Sequence, residues 1–118
     1  MSKKNSAKYH RKKSVAFKNI NFIRLLTDHH KNPKQFKKII KHCTDSEINA
    51  ITEIIYNFLM GHLKCNKKRF KHQATFLRLV GNKNKSVKSR KKAILSKGGS
   101  ILSLLSIAVP ALMSLFGN

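Results

Sequence analysis

The feature that most constrains the fold is the spacing of apolar residues, which recur every three or four positions and nowhere alternate for long. Between Thr44 and Gly61 the stripe of Ile and Phe side chains has helical spacing. The Thr44-Asp45-Ser46-Glu47 start has the form of a capping box, and Gly61 provides a stop signal. We predict a helix here that forms the hydrophobic centre, and no sheet.

Four weaker helices are predicted around this one. Asn32-Pro33 is a helix start, with Asn as the N-cap and Pro in the first turn. Asn66 is a candidate N-cap for a continuous helix over 67–80. The four segments are 19–30, the helix that begins at 33, 67–80 and the mostly basic 86–97. The sequence therefore predicts an all-α fold: a small domain of four to five short helices.

Charge and hydropathy divide the chain into four zones. Residues 1–18 form a basic arm that is expected to be disordered when free. Residues 19–80 form the small helical domain and hold all four acids. Residues 81–97 are a basic helix or linker, and 98–118 an apolar C-terminal helix without a charged side chain. At 118 residues, the chain is long enough for one small domain.

The charge imbalance predicts a polyanionic partner. The chain has 26 Lys and Arg residues against four acids, and 64–97 contains no acid at all. Lys outnumbers Arg 21 to 5, which favours phosphate contacts over base reading. The predicted partner is DNA, with RNA as an alternative. The candidate nucleic-acid-binding residues are Lys64, Lys67, Lys68, Arg69, Lys71, Arg78, Lys83, Lys85, Lys88, Arg90, Lys91 and Lys92, with Lys3, Lys4, Arg11, Lys12 and Lys13 in the arm.

Other interpretations of the basic segments stay open at this point. A run of charge is often only a solvated face, and the N-terminal cluster has the composition of a nuclear localisation signal or of a plain basic tail. Phe70 and Phe76 could stack on bases, although core packing suits Phe70 better.

The apolar C-terminal segment has three possible placements. It could lie in a membrane interface, associate with a partner or another copy, or fold back on the basic domain. As a helix, its sixteen residues from 101 to 116 would span about 24 Å, less than the roughly 30 Å of a bilayer core. The candidate membrane or self-association residues are Ile101, Leu104, Leu105, Leu112, Leu115 and Phe116.

The sequence gives little indication of an enzyme or of a metal site. It lacks a phosphate-binding loop, a metalloprotease motif and a nucleophile elbow, so no catalytic residue and no cofactor are predicted. His42, Cys43, His62 and Cys65 are candidate zinc ligands by residue type, but Cys43 lies on an apolar stripe, where it is expected to pack as a small hydrophobic residue. Two cysteines and the absence of a secretory signal favour a reducing, intracellular compartment.

Three segments resemble a viral arrangement: the helix around Ser46-Glu47-Ile48, the lysines from Lys88 to Lys92, and Gly98-Gly99 followed by Ser100-Ile101-Leu102-Ser103-Leu104-Leu105. Over residues 35–118 the chain resembles small core proteins of adintoviruses and Maverick/Polinton elements. Over 85–116 it is similar to precursors of the adenovirus core protein X (mu) family.

This resemblance implies a DNA-condensing core protein, packaged in the virion and present in the host nucleus. It also implies processing by a viral cysteine protease at Gly98-Gly99. The protease favours Met, Ile or Leu three positions before the second glycine, where this chain has Ser96. The rival hypothesis from another class is a membrane-active or membrane-anchored basic protein, whose C-terminal helix inserts in a bilayer while lysines hold anionic lipid.

Overall fold

The computed structural model describes residues 14–28, 32–61 and 67–115, and this part of the chain is helical without a strand. The predicted all-α class is confirmed. The elements in chain order are α1 (Val15–Lys18), α2 (Ile20–Asp28), α3 (Pro33–Lys41), α4 (Asp45–Leu59), a 3-10 helix (Lys67–Gln73), α5 (Ala74–Val80), α6 (Val87–Ser96) and α7 (Gly98–Leu115).

Side-chain caps mark the start of four described helices, α1, α3, α4 and α6. The Asn32 side chain accepts a hydrogen bond from the amide three residues on, at 3.1 Å, and Pro33 occupies the first turn of α3. At α4 the predicted capping box is complete: Glu47 N donates to Thr44 Oγ1 at 3.1 Å, and Thr44 N donates to Glu47 Oε1 at 2.8 Å. Ser86 caps α6 in the same way as Asn32 caps α3. Ser14 caps α1 likewise, with Phe17 N donating to its Oγ at 3.1 Å. Local side-chain chemistry therefore fixes four helix starts.

Helix α4 is the centre of the domain, as its apolar stripe predicts. It packs against α1, α2, α5, α6 and α7. Its buried side chains extend over more than half of its circumference, because neighbours cover it on several sides. The largest of them are Ile48, Ile51, Ile54, Ile55 and Phe58.

The C-terminal helix α7 belongs to the same core. It packs against α2, α3, α4 and α6, and Ile101, Leu104, Leu105 and Ala108 are completely buried. The predicted division of the chain at 81 and 98 therefore separates helices that share one core. The physical reason is burial: the shorter helices cover α4 only in part, and α7 supplies the remaining apolar surface.

The N-terminal boundary also differs from the predicted one. Ser14 Oγ donates to the two carboxylate oxygens of Glu53 at 3.1 and 3.0 Å, and Ala16 N donates to Glu53 Oε1 at 2.7 Å. Ala16 is fully buried, so the core includes residues before the predicted boundary at 19. The first 13 residues of the predicted basic arm lie outside the described part of the chain.

The predicted continuous helix over 67–80 is two elements. A 3-10 helix covers Lys67–Gln73 and α5 begins at Ala74. Phe70 breaks the helical geometry, with φ −112° and ψ 19°, and its ring packs edge-on against Phe58 with centroids 5.5 Å apart. This tertiary contact overrides the local periodicity, and it confirms core packing as the role of Phe70. The predicted cap Asn66 lies outside the described residues.

Candidate nucleic-acid interface

The cations of the described chain lie almost entirely on the surface. Among Lys and Arg residues with a described side chain, all are exposed except the buried Arg90 and the half-buried Lys91. Exposure of this many like charges leaves them available to a polyanion. The predicted interface residues that the structure places at the surface are Lys68, Lys71, Arg78, Lys83, Lys85, Lys88 and Lys92.

Several predicted interface residues cannot be placed in the same way. Lys64 and the arm residues Lys3, Lys4, Arg11, Lys12 and Lys13 lie outside the described residues. Lys67 and Arg69 belong to the 3-10 helix, but their side chains are not described.

The structure places Arg90 inside the domain and not in the predicted interface. Only 3% of this residue is exposed, because its side chain turns inward from α6 to α4. Its Nη1 donates to Asn49 Oδ1 at 2.9 Å and to Thr52 Oγ1, and its Nε donates to the Lys85 carbonyl at 3.0 Å. Burial lowers the pKa of Arg90, which the charge of Asp45 partly offsets. Arg90 joins two helices and does not face a ligand.

Helix α3 carries cations that the sequence prediction left out of the interface. Lys34, Lys37, Lys38 and Lys41 are all exposed and occupy positions i, i+3, i+4 and i+7. They line a surface depression of about 620 Å³, together with His42 and with Leu95 from α6. In the sequence these lysines can be recognised because they occupy the helix positions that the apolar stripe leaves free.

One face of α6 borders this depression. Lys88, Lys91, Lys92 and Leu95 occupy positions i, i+3, i+4 and i+7, so they share a side of the helix. Lys91 Nζ donates to the Cys43 carbonyl at 3.4 Å, just beyond the end of α3. Basic side chains stabilise the carbonyl end of a helix, so this contact fixes α6 beside α3.

Three of the four acids lie at the start of a helix or bind the start of another one. Asp45 and Glu47 lie in the first turn of α4, where the helix dipole favours negative charge. Glu53 receives the Ser14 hydroxyl and the Ala16 amide at the start of α1. None of these three carboxylates lines the depression between α3 and α6.

In the part of the chain that the structure describes, no three potential metal ligands come together, around Cys43 and His42 or elsewhere. The Cys43 thiol donates to the Ile40 carbonyl at 3.0 Å, and burial raises its pKa. Half-buried and protonated, Cys43 packs as a small hydrophobic residue. The other two ligand candidates, His62 and Cys65, lie outside the described residues.

A second, smaller depression of about 350 Å³ lies on the other side of α6. Phe76, Leu79 and Ala93 form its apolar part, and Lys97 is at its rim. Phe76 is half-buried here, so the stacking role considered for it stays a prediction.

The C-terminal segment takes the folded-back placement in this structure. Ile101, Leu104 and Leu105 are in the core, whereas the side chains of Leu112 and Leu115 and the whole of Phe116 are outside the description. None of the helices in the described ranges combines the length and hydrophobicity that a membrane crossing requires.

Gly98 and Gly99 form the start of α7. Because proteases bind their substrates as extended strands, cleavage after Gly99 would require this first turn to unwind.

Comparison with known proteins found no matching family model, no matching curated protein and no matching solved structure. The resemblance to viral core proteins therefore stays a prediction from the sequence.

Proposed function

We propose that this protein binds nucleic acid without sequence preference and condenses DNA, as a core protein of a virus or virus-like transposon. The observation that carries the proposal is the exposure of nearly all described cations on a domain with four described carboxylates. Two of these carboxylates, Glu47 and Glu53, accept hydrogen bonds within the fold. Its proposed location is the virion core and, during infection, the host nucleus.

The side chains that remain at the surface favour phosphate contact. The sequence has only five arginines, and burial of Arg90 removes one of them from any interface. Lysine binds phosphate as a point charge, whereas bidentate recognition of guanine requires the guanidinium fork. The protein should therefore bind duplexes of unrelated sequence with similar affinity.

A gel-shift titration across a salt series tests this function. Two duplexes of equal length and unrelated sequence should be retarded at the same protein concentration. A protein that makes 6–10 phosphate contacts should lose roughly 10³–10⁵ in affinity between about 50 and 200 mM salt, because salt competes with counterion release. Failure to retard either duplex in dilute buffer contradicts the proposal, and so does an affinity that salt leaves unchanged. Competition with structured RNA ranks DNA against RNA.

The membrane-active alternative has less support. It requires the apolar residues of α7 at a bilayer, yet Ile101, Leu104 and Leu105 are completely buried. Insertion would first have to remove α7 from the core. Co-sedimentation with anionic vesicles, with duplex DNA as competitor, separates the two functions.

A further inference from the structure

Helix α3 presents two stripes of opposite character. Phe36 and Ile40 are buried on one side, and four exposed lysines follow the same spacing on the other. From Lys34 to Lys41 the helix rises about 10 Å, at 1.5 Å per residue. The lysine stripe is thus a straight row of charge, which the buried side holds in place.

A second row of lysines lies on α6, next to the first. Leu95 of α6 lines the same depression as the α3 lysines, and Lys91 reaches the carbonyl of Cys43 beyond the end of α3. Lys88 and Lys92 share that side of α6. Because α6 packs against α3, the two rows flank the shallow channel between these helices.

We infer that the channel between α3 and α6 is the surface on which the phosphate backbone of duplex DNA lies. One strand of duplex DNA carries one phosphate per roughly 3.4 Å, so a length of about 10 Å presents about three phosphates to the channel. The exposed lysines of the two rows are enough to neutralise them: Lys34, Lys37, Lys38, Lys41, Lys88 and Lys92. The inference rests on the proposed function and adds to it a site that includes four residues outside the 64–97 block.

The composition of the channel favours DNA over a lipid surface. Helices that bind membrane interfaces place large apolar side chains beside their lysines. The large exposed apolar residues of the described chain are Phe17, Leu25, Tyr56 and Met60, and none of them is on α3 or α6. The only apolar side chain in the lining is Leu95, which is half-buried.

Two variants that remove the same charge test the site in the full chain. The channel variant is Lys34→Gln, Lys37→Gln and Lys41→Gln, and the control is Lys18→Gln, Arg24→Gln and Lys97→Gln. All six residues are exposed, and glutamine is a good helix former. Matching far-UV circular dichroism and melting temperature should show that both variants fold.

The channel variant should lose roughly 100-fold in affinity for duplex DNA at about 150 mM salt, because counterion release gives each contact about a factor of five there. The slope of log affinity against log salt should fall by about 2.7, whereas the control should change by less than about one. Equal losses in the two variants would show that affinity follows net charge alone, and would overturn the channel while leaving the proposed function intact. If wild-type protein fails to bind, the proposed function itself is wrong.

Lysine acetylation of the wild-type protein gives an independent readout. Bound duplex should protect Lys34, Lys37, Lys38 and Lys41 from an acetylating reagent more strongly than it protects Lys18, as measured by mass spectrometry. Uniform protection contradicts the inference. If the channel variant instead loses binding to phosphatidylserine vesicles and keeps its affinity for DNA, the channel is a lipid site and the inference is wrong.

Discussion

Replacing Leu104 by Asp should abolish cooperative folding of the domain. Leu104 is completely buried among the core residues that α7 contributes. Removing a buried leucine costs about 2–5 kcal/mol, and burying a carboxylate without a partner adds several more. A small domain has about 5–15 kcal/mol of stability in total, so the sum removes most or all of it. Thermal unfolding followed by circular dichroism at 222 nm should show no transition.

Ser103→Asp is the matched control, because Ser103 precedes Leu104 on the same helix and is exposed. It adds the same charge and should change stability by less than about 0.5 kcal/mol. The pair also separates the three placements of the C-terminal segment. A helix whose apolar side faced a membrane or another copy would tolerate Asp at either position in the dilute monomer. Identical melting of the two variants would thus show that α7 does not pack in the core.

The second large effect is expected at Arg90. Arg90→Ala should destabilise the protein by about 3 kcal/mol, since it leaves a cavity and deprives Thr52, Asn49 and the Lys85 carbonyl of their donor. Lys92→Ala, on the exposed side of the same helix, should stay within about 0.5 kcal/mol of the wild type. Urea unfolding measures both changes.

Arg90→Lys tests whether this residue contacts nucleic acid. A single ammonium group cannot reach three acceptors that the planar guanidinium joins, so stability should fall although the charge is kept. Because Arg90 is buried, the salt dependence of DNA binding should be the same as in the wild type. If the slope of log affinity against log salt fell by about one while stability stayed unchanged, Arg90 would be shown to contact DNA.

Local chemistry made the starts of α3 and α4 predictable. Asn32 and Thr44 each combine a capping oxygen with a following apolar stripe, and both form the expected hydrogen bonds. Such signals need only a few consecutive residues, so they can be found without knowledge of the tertiary structure.

Tertiary contacts account for what the sequence left open. Phe70 fits a continuous helix by spacing, and only its packing on Phe58 explains the break. Arg90 lies within a run of cations from 88 to 92, and only its contacts with Asn49 and Thr52 distinguish it. The apolar residues of α7 suit a bilayer, a partner or a core equally well, and only the packing of α7 against α2, α3, α4 and α6 places them in the core.

The candidate site was predictable in kind but not in position. Excess positive charge indicated a polyanion, yet charge along the chain does not say which side chains share a face. Lys34 and Lys37 are more than fifty residues from Lys91 in the sequence, and the packing of α6 against α3 brings the two helices together.

Because the lining of the depression between α3 and α6 includes lysines and no described carboxylate, the lysines along the channel repel one another. Dissolved ions screen that repulsion and so favour the folded chain, while the same ions would compete with the proposed attachment to DNA. Ionic strength would thus drive folding and attachment in opposite directions. In the proposed complex the phosphates would take over the screening, so that one polymer would both shield the lysines and hold the protein.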